Sequence, residues 1–345
     1  MRIGLIGTGR IGAFHATTLA GLPAVSSLVL HDRDERSARA VADRVGAEYA
    51  GDLDALLGAG LDGVVIAAPT GIHAELILAA HRAGLPAFCE KPVAGTLEET
   101  DRVLAALEGG EIPLQIGFQR RFDAGYRAVR EAVTDGRLGW THTLRACTSD
   151  PTPPPPGYIP GSGGIFRDCS VHDYDIIRWV TGREVAEVYA TGANRGETFF
   201  SDAGDADTAV SVLTLDDGTL ATCTATRYNG AGYDVRLEVC GSAGTMVAGL
   251  TEETPLVSAE GAAWPGGTPH PGFMERFLDA YRAELTAFTE VVAGVRPSPC
   301  TGQDARAALA IADAATRSRA EGRPVAVPAS APAPAPKPVP GGHRG

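Results

Sequence analysis

The sequence lacks any apolar run approaching the ~20 residues that a membrane-spanning helix needs. Its first ten residues, MRIGLIGTGR, lead directly into a strand and a turn, and they do not have the pattern of a signal peptide. Positive charge is also scarce, with 30 lysines and arginines against 42 aspartates and glutamates and a net charge of -12. Such a chain has no basic surface to neutralise a nucleic-acid backbone. We therefore expect a cytoplasmic protein that binds neither membranes nor nucleic acids.

Cysteine is sparse, and its distribution argues against a disulfide framework and against a zinc site. The six cysteines lie far apart, with no CxxC pair and no cysteine and histidine group at the spacing of zinc ligands. We expect them to be reduced and to pack as small apolar side chains, and we expect no bound metal. Cys169 is less settled, because it follows Asp168 in a stretch rich in reactive side chains.

What the chain does have is enough apolar sequence for two cores, at 345 residues and 44% hydrophobic content. In the first third, apolar runs typical of strands buried on both faces alternate with helical patterns. The runs are residues 2–6, 27–31, 63–68, 86–89 and 113–117, and the helical patterns are 11–20, 34–45, 71–83 and 97–107. Thr96 is a candidate N-cap with Glu99 three residues later. This alternation predicts an α/β domain with a doubly wound parallel sheet over residues 1–120.

After residue 120 the pattern changes to longer strands with polar and apolar alternation. These runs are 140–148, 185–192, 207–215, 219–227, 233–240 and 244–249. Glycine-containing turns between them indicate hairpins. We predict a second α/β domain over residues 121–327, with an open and mostly antiparallel sheet and one helix at about 168–181 that ends at Gly182. Helices at 274–294 and 302–321 close the fold and could pack against the first domain, and residues 328–345, rich in proline and alanine, should form a disordered tail.

The stretch GTGRIG follows the first predicted strand and begins the first predicted helix, the context in which this pattern is informative. Gly7 permits a tight turn, Gly9 lets backbone approach a pyrophosphate, and Gly12 lets the helix lie close to the sheet. Asp32 ends the second strand, where a carboxylate can bind both ribose hydroxyls. The pattern predicts a Rossmann domain that binds NAD. NADP stays possible, because Arg33 could accept a 2′-phosphate.

Two further groups point to chemistry. Glu90 and Lys91 follow a buried strand, at the edge where open α/β sheets bind ligands. On a regular helix Asp168, His172 and Asp175 would share one face, so that a carboxylate could orient the imidazole and steady its charged form. That arrangement suits a general base. A surface ion pair is the plain alternative for these residues, and a metal site is a weaker one.

These residues resemble the Gfo/Idh/MocA oxidoreductase family, and within it the inositol dehydrogenases most closely. The resemblance covers roughly residues 1–327 and rests on GLIGTGRIGAFHA, APTGIHAEL, CEKPVAGTLEE, IGFQRRFD, GGIFRDCSVHDYDIIRW, GYDVRLEVCGSAGT and FMERFLDAYRAELTAF. It implies a Rossmann domain joined to an open-sheet α/β domain. It also implies homo-oligomers, tetramers or dimers, which an exposed face of the second sheet would suit.

The resemblance assigns roles residue by residue. Lys91, Asp168 and His172 match the family's catalytic lysine, aspartate and histidine. The residues that would line the dinucleotide, together with the glycine turn, are Gly7, Gly9, Arg10, Ile11, Gly12, Asp32, Arg33, Pro69, Thr70, His73, Glu90 and Lys91. The residues that would contact a polyol are Gln119, Arg121, Asp150, Asp168, His172 and Tyr233. Phe118 and Tyr228 are equally compatible with packing and with recognition.

The resulting hypothesis is an NAD-dependent dehydrogenase that oxidises a ring secondary alcohol of a cyclitol, such as myo-inositol or an isomer, to the ketone. His172 would take the hydroxyl proton, and Lys91 would stabilise the alkoxide. A sugar dehydrogenase and an NAD-dependent glycosidase stay open as alternatives, because related families share the same signatures. A regulatory protein that binds NAD without turnover is the alternative outside enzymes.

Overall fold

The computed structural model describes residues 1–110, 112–261 and 266–328. Residues 329–345, which make up all but the first residue of the predicted tail, lie outside the described residues.

The first sheet has six parallel strands, and helices flank it. The strands are β1 (Arg2–Ile6), β2 (Ser27–His31), β3 (Glu48–Tyr49), β4 (Gly63–Ile66), β5 (Ala87–Glu90) and β6 (Leu114–Gly117). The helices are α1 (Arg10–Ala20), α2 (Glu35–Val45), α3 (Leu53–Leu57), α4 (His73–Arg82) and α5 (Leu97–Leu107). The strand order β3-β2-β1-β4-β5-β6 confirms the predicted doubly wound sheet. It also places the ligand crevice at the carboxyl ends of the strands, where the strand order reverses beside β1.

Local signals account for most of these boundaries. Thr96 caps α5, as predicted, by accepting a hydrogen bond from the Glu99 amide at 3.1 Å. Asp34 caps α2 in the same way, through the amides of Arg36 and Ser37. The short elements β3 and α3 were not predicted, because two and five residues are too few to show a period.

The second sheet has seven strands, and its open, mostly antiparallel character is confirmed. The strands are β7 (Thr141–Ser149), β8 (Val185–Ala193), β9 (Thr208–Leu215), β10 (Leu220–Thr226), β11 (Asp234–Gly241), β12 (Gly244–Ala248) and β13 (Val325–Ala326). They lie in the order β12-β11-β7-β10-β9-β8-β13. Only the pairing of β7 with β10 is parallel within this sheet as described.

The helices of the second half are α6 (Ala124–Thr134), α7 (Ile159–Ser162), α8 (Val171–Thr181), α9 (Phe199–Asp202), α10 (Phe273–Arg276), α11 (Leu278–Val292) and α12 (Gly302–Glu321). The prediction of a single helix before residue 249 was wrong, because α6 also forms there. Asp123 caps α6 through the amides of Gly125 and Tyr126, and the helix buries Tyr126 and Val129. These signals are local, and the sequence already contained them.

The last two long helices join the two halves of the chain. In α11, Leu285 and Phe288 pack into the apolar cluster of the first sheet, where the ring of Phe288 lies 5.9 Å from that of Phe88. The start of α12 packs on the first half through Ala308, and its later residues, such as Ile311, pack into the core of the second sheet. The carboxyl edge of β5 and the start of α8 are therefore held against each other.

None of the helices in the described part of the chain is both long and apolar enough to cross a membrane. All six cysteines are unpaired and five of them are buried, as predicted, while Cys147 is partly exposed. Across residues 1–110, 112–261 and 266–328, no group of three or more histidine, cysteine or acidic side chains is arranged to hold a metal ion.

Candidate active site

The glycine turn between β1 and α1 has the shape of a phosphate-binding turn. Gly7 has a φ of +96°, and a Cβ added there would lie 2.6 Å from the carbonyl oxygen of Ala67. A Cβ on Gly12 would collide with the carbonyl of Gly7, whereas one on Gly9 would meet open space. No side chain caps α1, so its first amides, beginning with Arg10 and Ile11, are left for an anion.

Asp32 lies beside this turn at the end of β2. Its carboxylate accepts hydrogen bonds from the Thr8 amide at 2.6 Å, the Thr8 hydroxyl at 3.1 Å and the Asp34 amide at 2.9 Å. Burial opposes ionisation, but the hydrogen bonds from Asp34 and Thr8 outweigh it and lower the pKa of Asp32. A fixed anion here suits ribose hydroxyls and repels a 2′-phosphate. Arg33 is exposed beside it.

The loop after β4 differs in part from what the resemblance implied. Pro69 is exposed and Thr70 partly exposed, so both remain open to a ligand. His73 is only 1% exposed, and its ring nitrogens lie 2.7 Å from the Pro92 carbonyl oxygen and 2.8 Å from that of Ala68. Its expected contact with the dinucleotide stays a prediction, and the ring nitrogens are not free to make it. His73 ties two loops together, because both ring nitrogens are occupied by backbone.

Glu90 and Lys91 point to different partners. Glu90 Oε1 lies 2.6 Å from Nε2 of the buried His15 on α1, which fixes the end of β5 against that helix. Lys91 Nζ donates to the carbonyl oxygen of Asp168 at 3.0 Å and to its Oδ1 at 3.2 Å. The Lys91–Pro92 peptide bond is cis. Through its two hydrogen bonds to Asp168, the lysine reaches across to the second half of the chain, where the predicted acid and base lie.

Asp168 is surrounded by donors. Lys91 and the Tyr158 hydroxyl bind its Oδ1, the latter at 2.9 Å, and Arg227 Nη2 binds its Oδ2 at 2.7 Å. Burial alone would raise the pKa of Asp168, but the charges of Lys91 and Arg227 and the hydrogen bonds hold it well below its ordinary value. Asp168 therefore stays ionised and serves as an anchor for cations.

His172 occupies the first turn of α8, partly buried, with its ring edge-on to Phe118 at 5.6 Å. Its Nδ1 is buried and has no hydrogen-bond partner among the described residues. Burial, and then the positive charges of Lys91 and Arg120, lower the pKa of His172 well below its ordinary value. The expectation that a carboxylate would steady the charged imidazole is thus corrected: the surroundings favour the neutral ring, which is the form a general base needs.

Asp175 pairs with Arg121 and does not join the group around Asp168. The Arg121 guanidinium forms two hydrogen bonds to Asp175, at 2.9 and 2.5 Å, lies 3.2 Å from Asp304, and donates to the Pro299 carbonyl. The polyol contact expected for Arg121 stays a prediction, and in the structure its guanidinium bonds to groups within the protein. Through Asp175 on α8 and Asp304 on α12, Arg121 helps to hold these two helices together.

Of the remaining predicted substrate residues, Asp150 shares the guanidinium of Arg227 with Asp168. Asp150 accepts from Arg227 Nη1 at 3.0 Å, and burial raises its pKa. Gln119 is 5% exposed, and Tyr233 is buried as well. Tyr228 accepts a hydrogen bond from the Glu197 amide, which indicates packing.

Sequence reasoning missed Arg227 and Tyr158. Arg227 follows β10 and binds Asp150 and Asp168 through its two terminal nitrogens. Tyr158 lies in a proline-rich loop where no periodic pattern singles it out. The place of Arg227 could have been inferred from the strand pairing. Because β10 runs parallel to β7 and Thr226 pairs with Ser149, the next residues, Arg227 and Asp150, follow the ends of neighbouring strands.

A parallel sheet with this glycine turn and this carboxylate is typical of a dinucleotide-binding domain. Residues 1–118 match the model of an oxidoreductase family with an NAD-binding Rossmann fold, and residues 126–247 match the GFO/IDH/MocA C-terminal domain. The chain belongs to the Gfo/Idh/MocA family, as the resemblance predicted, and it is an NAD-dependent oxidoreductase.

Three relatives illustrate the similarity. The chain is 37% identical to the myo-inositol 2-dehydrogenase of Thermotoga maritima over 94% of this chain and 98% of that one. A myo-inositol dehydrogenase structure from Corynebacterium glutamicum has a TM-score of 0.88 at 34% identity, covering 95% and 99% of the two chains. A scyllo-inositol dehydrogenase from Lactobacillus casei, solved with NAD(H) and scyllo-inositol, has a TM-score of 0.87 at 29% identity over 95% and 99%.

The residues present fit NAD. The open space at Gly9 would receive the pyrophosphate, the uncapped start of α1 would bind its charge, and ionised Asp32 would bind ribose hydroxyls.

Proposed function

We propose that the protein oxidises a ring secondary alcohol of a cyclitol to the ketone with NAD. The observation that carries this proposal is the position of Lys91: it binds the carboxylate of Asp168 just before α8, and its charge acts on His172 in the first turn of that helix and lowers the pKa of the imidazole. At the carboxyl edge of a Rossmann sheet, a neutral imidazole can accept the hydroxyl proton and a cation can stabilise the alkoxide, which are the two tasks of alcohol oxidation. The similarity to three proteins named inositol dehydrogenases supports a cyclitol as substrate.

The roles follow from the contacts. His172 takes the hydroxyl proton, since its ring is held neutral, and such a transfer contributes about 10² to 10⁴-fold. Lys91 donates to the same oxygen and stabilises its growing negative charge. Asp168 holds Lys91 in place, which replaces the role of histidine orienter predicted from the sequence. NAD, when bound, supplies the acceptor for the hydride that leaves the carbinol carbon.

We also propose that the protein is a homo-oligomer that pairs through the open face of the second sheet. Tyr189, Val210, Val212 and Leu220 point outward from three neighbouring strands and are exposed. A contiguous exposed apolar patch is typical of an interface. The cytoplasmic location stays a prediction, as does the boundary between the two domains near residue 120.

The decisive experiment is a substrate panel of inositol isomers, common hexoses and a glycoside, followed by the absorbance of NADH. We expect turnover with at least one inositol isomer at a higher kcat/KM than with any hexose. Preference for a hexose would favour the sugar dehydrogenase, and cleavage of the glycoside without net reduction would favour the glycosidase. NAD binding without turnover of any compound would favour a regulatory protein.

A further inference from the structure

Tyr158 connects the surface of the molecule to the carboxylate at the centre of the site. Its hydroxyl donates to Asp168 Oδ1 at 2.9 Å, the oxygen that Lys91 also binds. The Asp168 side chain is 13% exposed, yet Tyr158 as a whole is 47% exposed. The Tyr158 side chain therefore runs from an exposed position on the chain to the buried carboxylate, and its ring lies beside the site.

The chain around Tyr158 holds this ring in place. Four successive prolines, residues 153–156, restrict the backbone before it. A single 3-10 turn, Pro156–Tyr158, leads into α7, where Ile159 is 2% exposed and anchors the loop to the core. The Ser162 hydroxyl closes the turn by donating to the Ile159 carbonyl at 2.8 Å. The ring is thus positioned before a substrate binds, which lowers the entropic cost of binding.

We propose that Tyr158 is a specificity-determining residue whose ring packs against the C–H face of a cyclic polyol. This inference rests on the proposed function and narrows its substrate class to rings that present an uninterrupted C–H face. The hydroxyl stays on Asp168, so that one side chain contacts the substrate and helps to fix the carboxylate that holds Lys91.

Elementary stereochemistry gives the expected order of ligands. A six-membered ring with all hydroxyls equatorial, as in scyllo-inositol, has only C–H bonds on both faces. One axial hydroxyl, as in myo-inositol, interrupts one face, and an acyclic polyol such as glucitol has no such face. Apolar contact with an aromatic ring is favourable in proportion to the area buried, so affinity that depends on Tyr158 should fall along this series.

The phenol does not compete with His172 as a base. Burial of the hydroxyl and the negative charge of Asp168 raise the pKa of Tyr158 above its ordinary value. The hydroxyl therefore remains protonated and keeps donating to the carboxylate.

The test compares Tyr158→Ala, which removes the ring, with Tyr158→Phe, which removes only the hydroxyl. Dissociation constants for scyllo-inositol, myo-inositol and glucitol are measured by calorimetry with NADH bound, and KM and kcat are measured with NAD. We expect Tyr158→Ala to raise the dissociation constant and KM for scyllo-inositol roughly tenfold and to leave glucitol unchanged. Tyr158→Phe should keep KM within about twofold and lower kcat.

Tyr49→Ala is the matched control, because Tyr49 packs on Arg39 at the edge strand β3, four positions along the sheet from β5, which precedes Lys91. The ratio of cyclic to acyclic affinity is compared within each variant, so a reduced folded fraction cannot produce the effect.

Equal losses of affinity in the Phe and Ala variants would overturn the inference, since the hydroxyl would then be acting only as a loop anchor. Unchanged affinity in Tyr158→Ala, with wild-type oxidation of cyclitols intact, would overturn this inference alone. A wild type that neither binds nor oxidises a cyclic polyol would overturn the proposed function and this inference together.

Discussion

His172 has one ring nitrogen buried without a partner among the described residues, and two cations nearby. The sequence has a carboxylate four residues before it, and from that spacing we predicted a general base oriented by this carboxylate, with a surface ion pair as the alternative. The structure directs Asp168 to Lys91, Tyr158 and Arg227 instead. All three lie far from Asp168 along the chain or in an irregular loop, so helical spacing carried no information about them. The sequence brought Lys91, Asp168 and His172 forward as candidates, but it did not show which side chains bond to Asp168.

The roles of the two residues predict matched losses of turnover. His172→Ala and Lys91→Ala should each lower kcat at least roughly tenfold, because each removes a group that we propose acts on the reacting oxygen. The dissociation constant for NAD, measured by fluorescence titration, should change little. His81→Ala on α4 is a histidine control and should retain wild-type kcat. Near wild-type turnover in either site variant would remove that residue from the chemistry.

The low pKa of His172 also predicts a pH dependence of stability. Below the ordinary value of 6.5 the unfolded chain binds a proton at this residue, while the folded chain does not until the pH falls through its lower pKa. The free energy of unfolding therefore decreases as the pH drops below about 6.5. Denaturant unfolding between about pH 7.5 and pH 5.5 should show a smaller loss in His172→Gln than in the wild type. Equal losses in the two proteins would contradict a neutral His172.

The position of Asp32 leads to a prediction about the choice of cofactor. Its ionised carboxylate, held by Thr8 and Asp34, should repel a 2′-phosphate. Asp32→Ser should therefore raise the ratio of kcat/KM with NADP to that with NAD by roughly tenfold. In the double variant Asp32→Ser, Arg33→Ala, part of that gain should be lost if the arginine binds the phosphate. An unchanged cofactor ratio in Asp32→Ser would refute the role of this carboxylate.

At the level of elements, the segment before α8 determines where Asp168 lies. The sequence predicted a regular helix at 168–181, but the chain forms a π-helical turn at Phe166–Ser170 before α8 begins. A wider turn changes which side chains share a face, and this separates Asp168 from Asp175. Asp205, about forty residues away, accepts a hydrogen bond from the Ile165 amide at 3.0 Å at the entry to this turn. A local pattern cannot reveal a contact from such a distant residue.

A substitution at Gly164 tests whether the start of this π-helical turn matters for activity. Gly164 has a φ of +89°, and an added Cβ would lie 3.1 Å from Asp205 Oδ1. Gly164→Ala should lower the free energy of unfolding by about 1 to 3 kcal/mol, because a side chain strains this conformation. It should also lower kcat, because the turn carries Asp168. Gly161→Ala is the control, since an added Cβ there meets nothing within 4 Å. Equal urea midpoints and equal kcat in both variants would refute this role of Gly164.

At the level of the whole molecule, the sequence predicted both sheets and their strand types, because alternating and continuous apolar runs differ clearly. It could not show how the halves meet. That contact depends on α11 inserting Phe288 beside Phe88, and on α12 contributing to both cores. The site lies across this junction, since Lys91 comes from one half and Asp168 from the other. Its residues were therefore found by family resemblance and strand-end reasoning, whereas their geometry depended on packing between distant segments.

The open face of the second sheet leads to a prediction about assembly. Val212 on β9 is exposed, and its neighbours in register are Tyr189 on β8 and Thr222 on β10. Because a charge at the centre of a paired apolar face would be buried without a partner, Val212→Glu should shift the protein from an oligomer towards monomers. Light scattering coupled to size-exclusion chromatography measures the mass directly.

Val257→Glu is the control, because Val257 is 95% exposed and lies outside the sheet, and it should leave the mass unchanged. A monomeric wild type would refute the pairing itself, and an oligomeric Val212→Glu variant would place the interface on another surface.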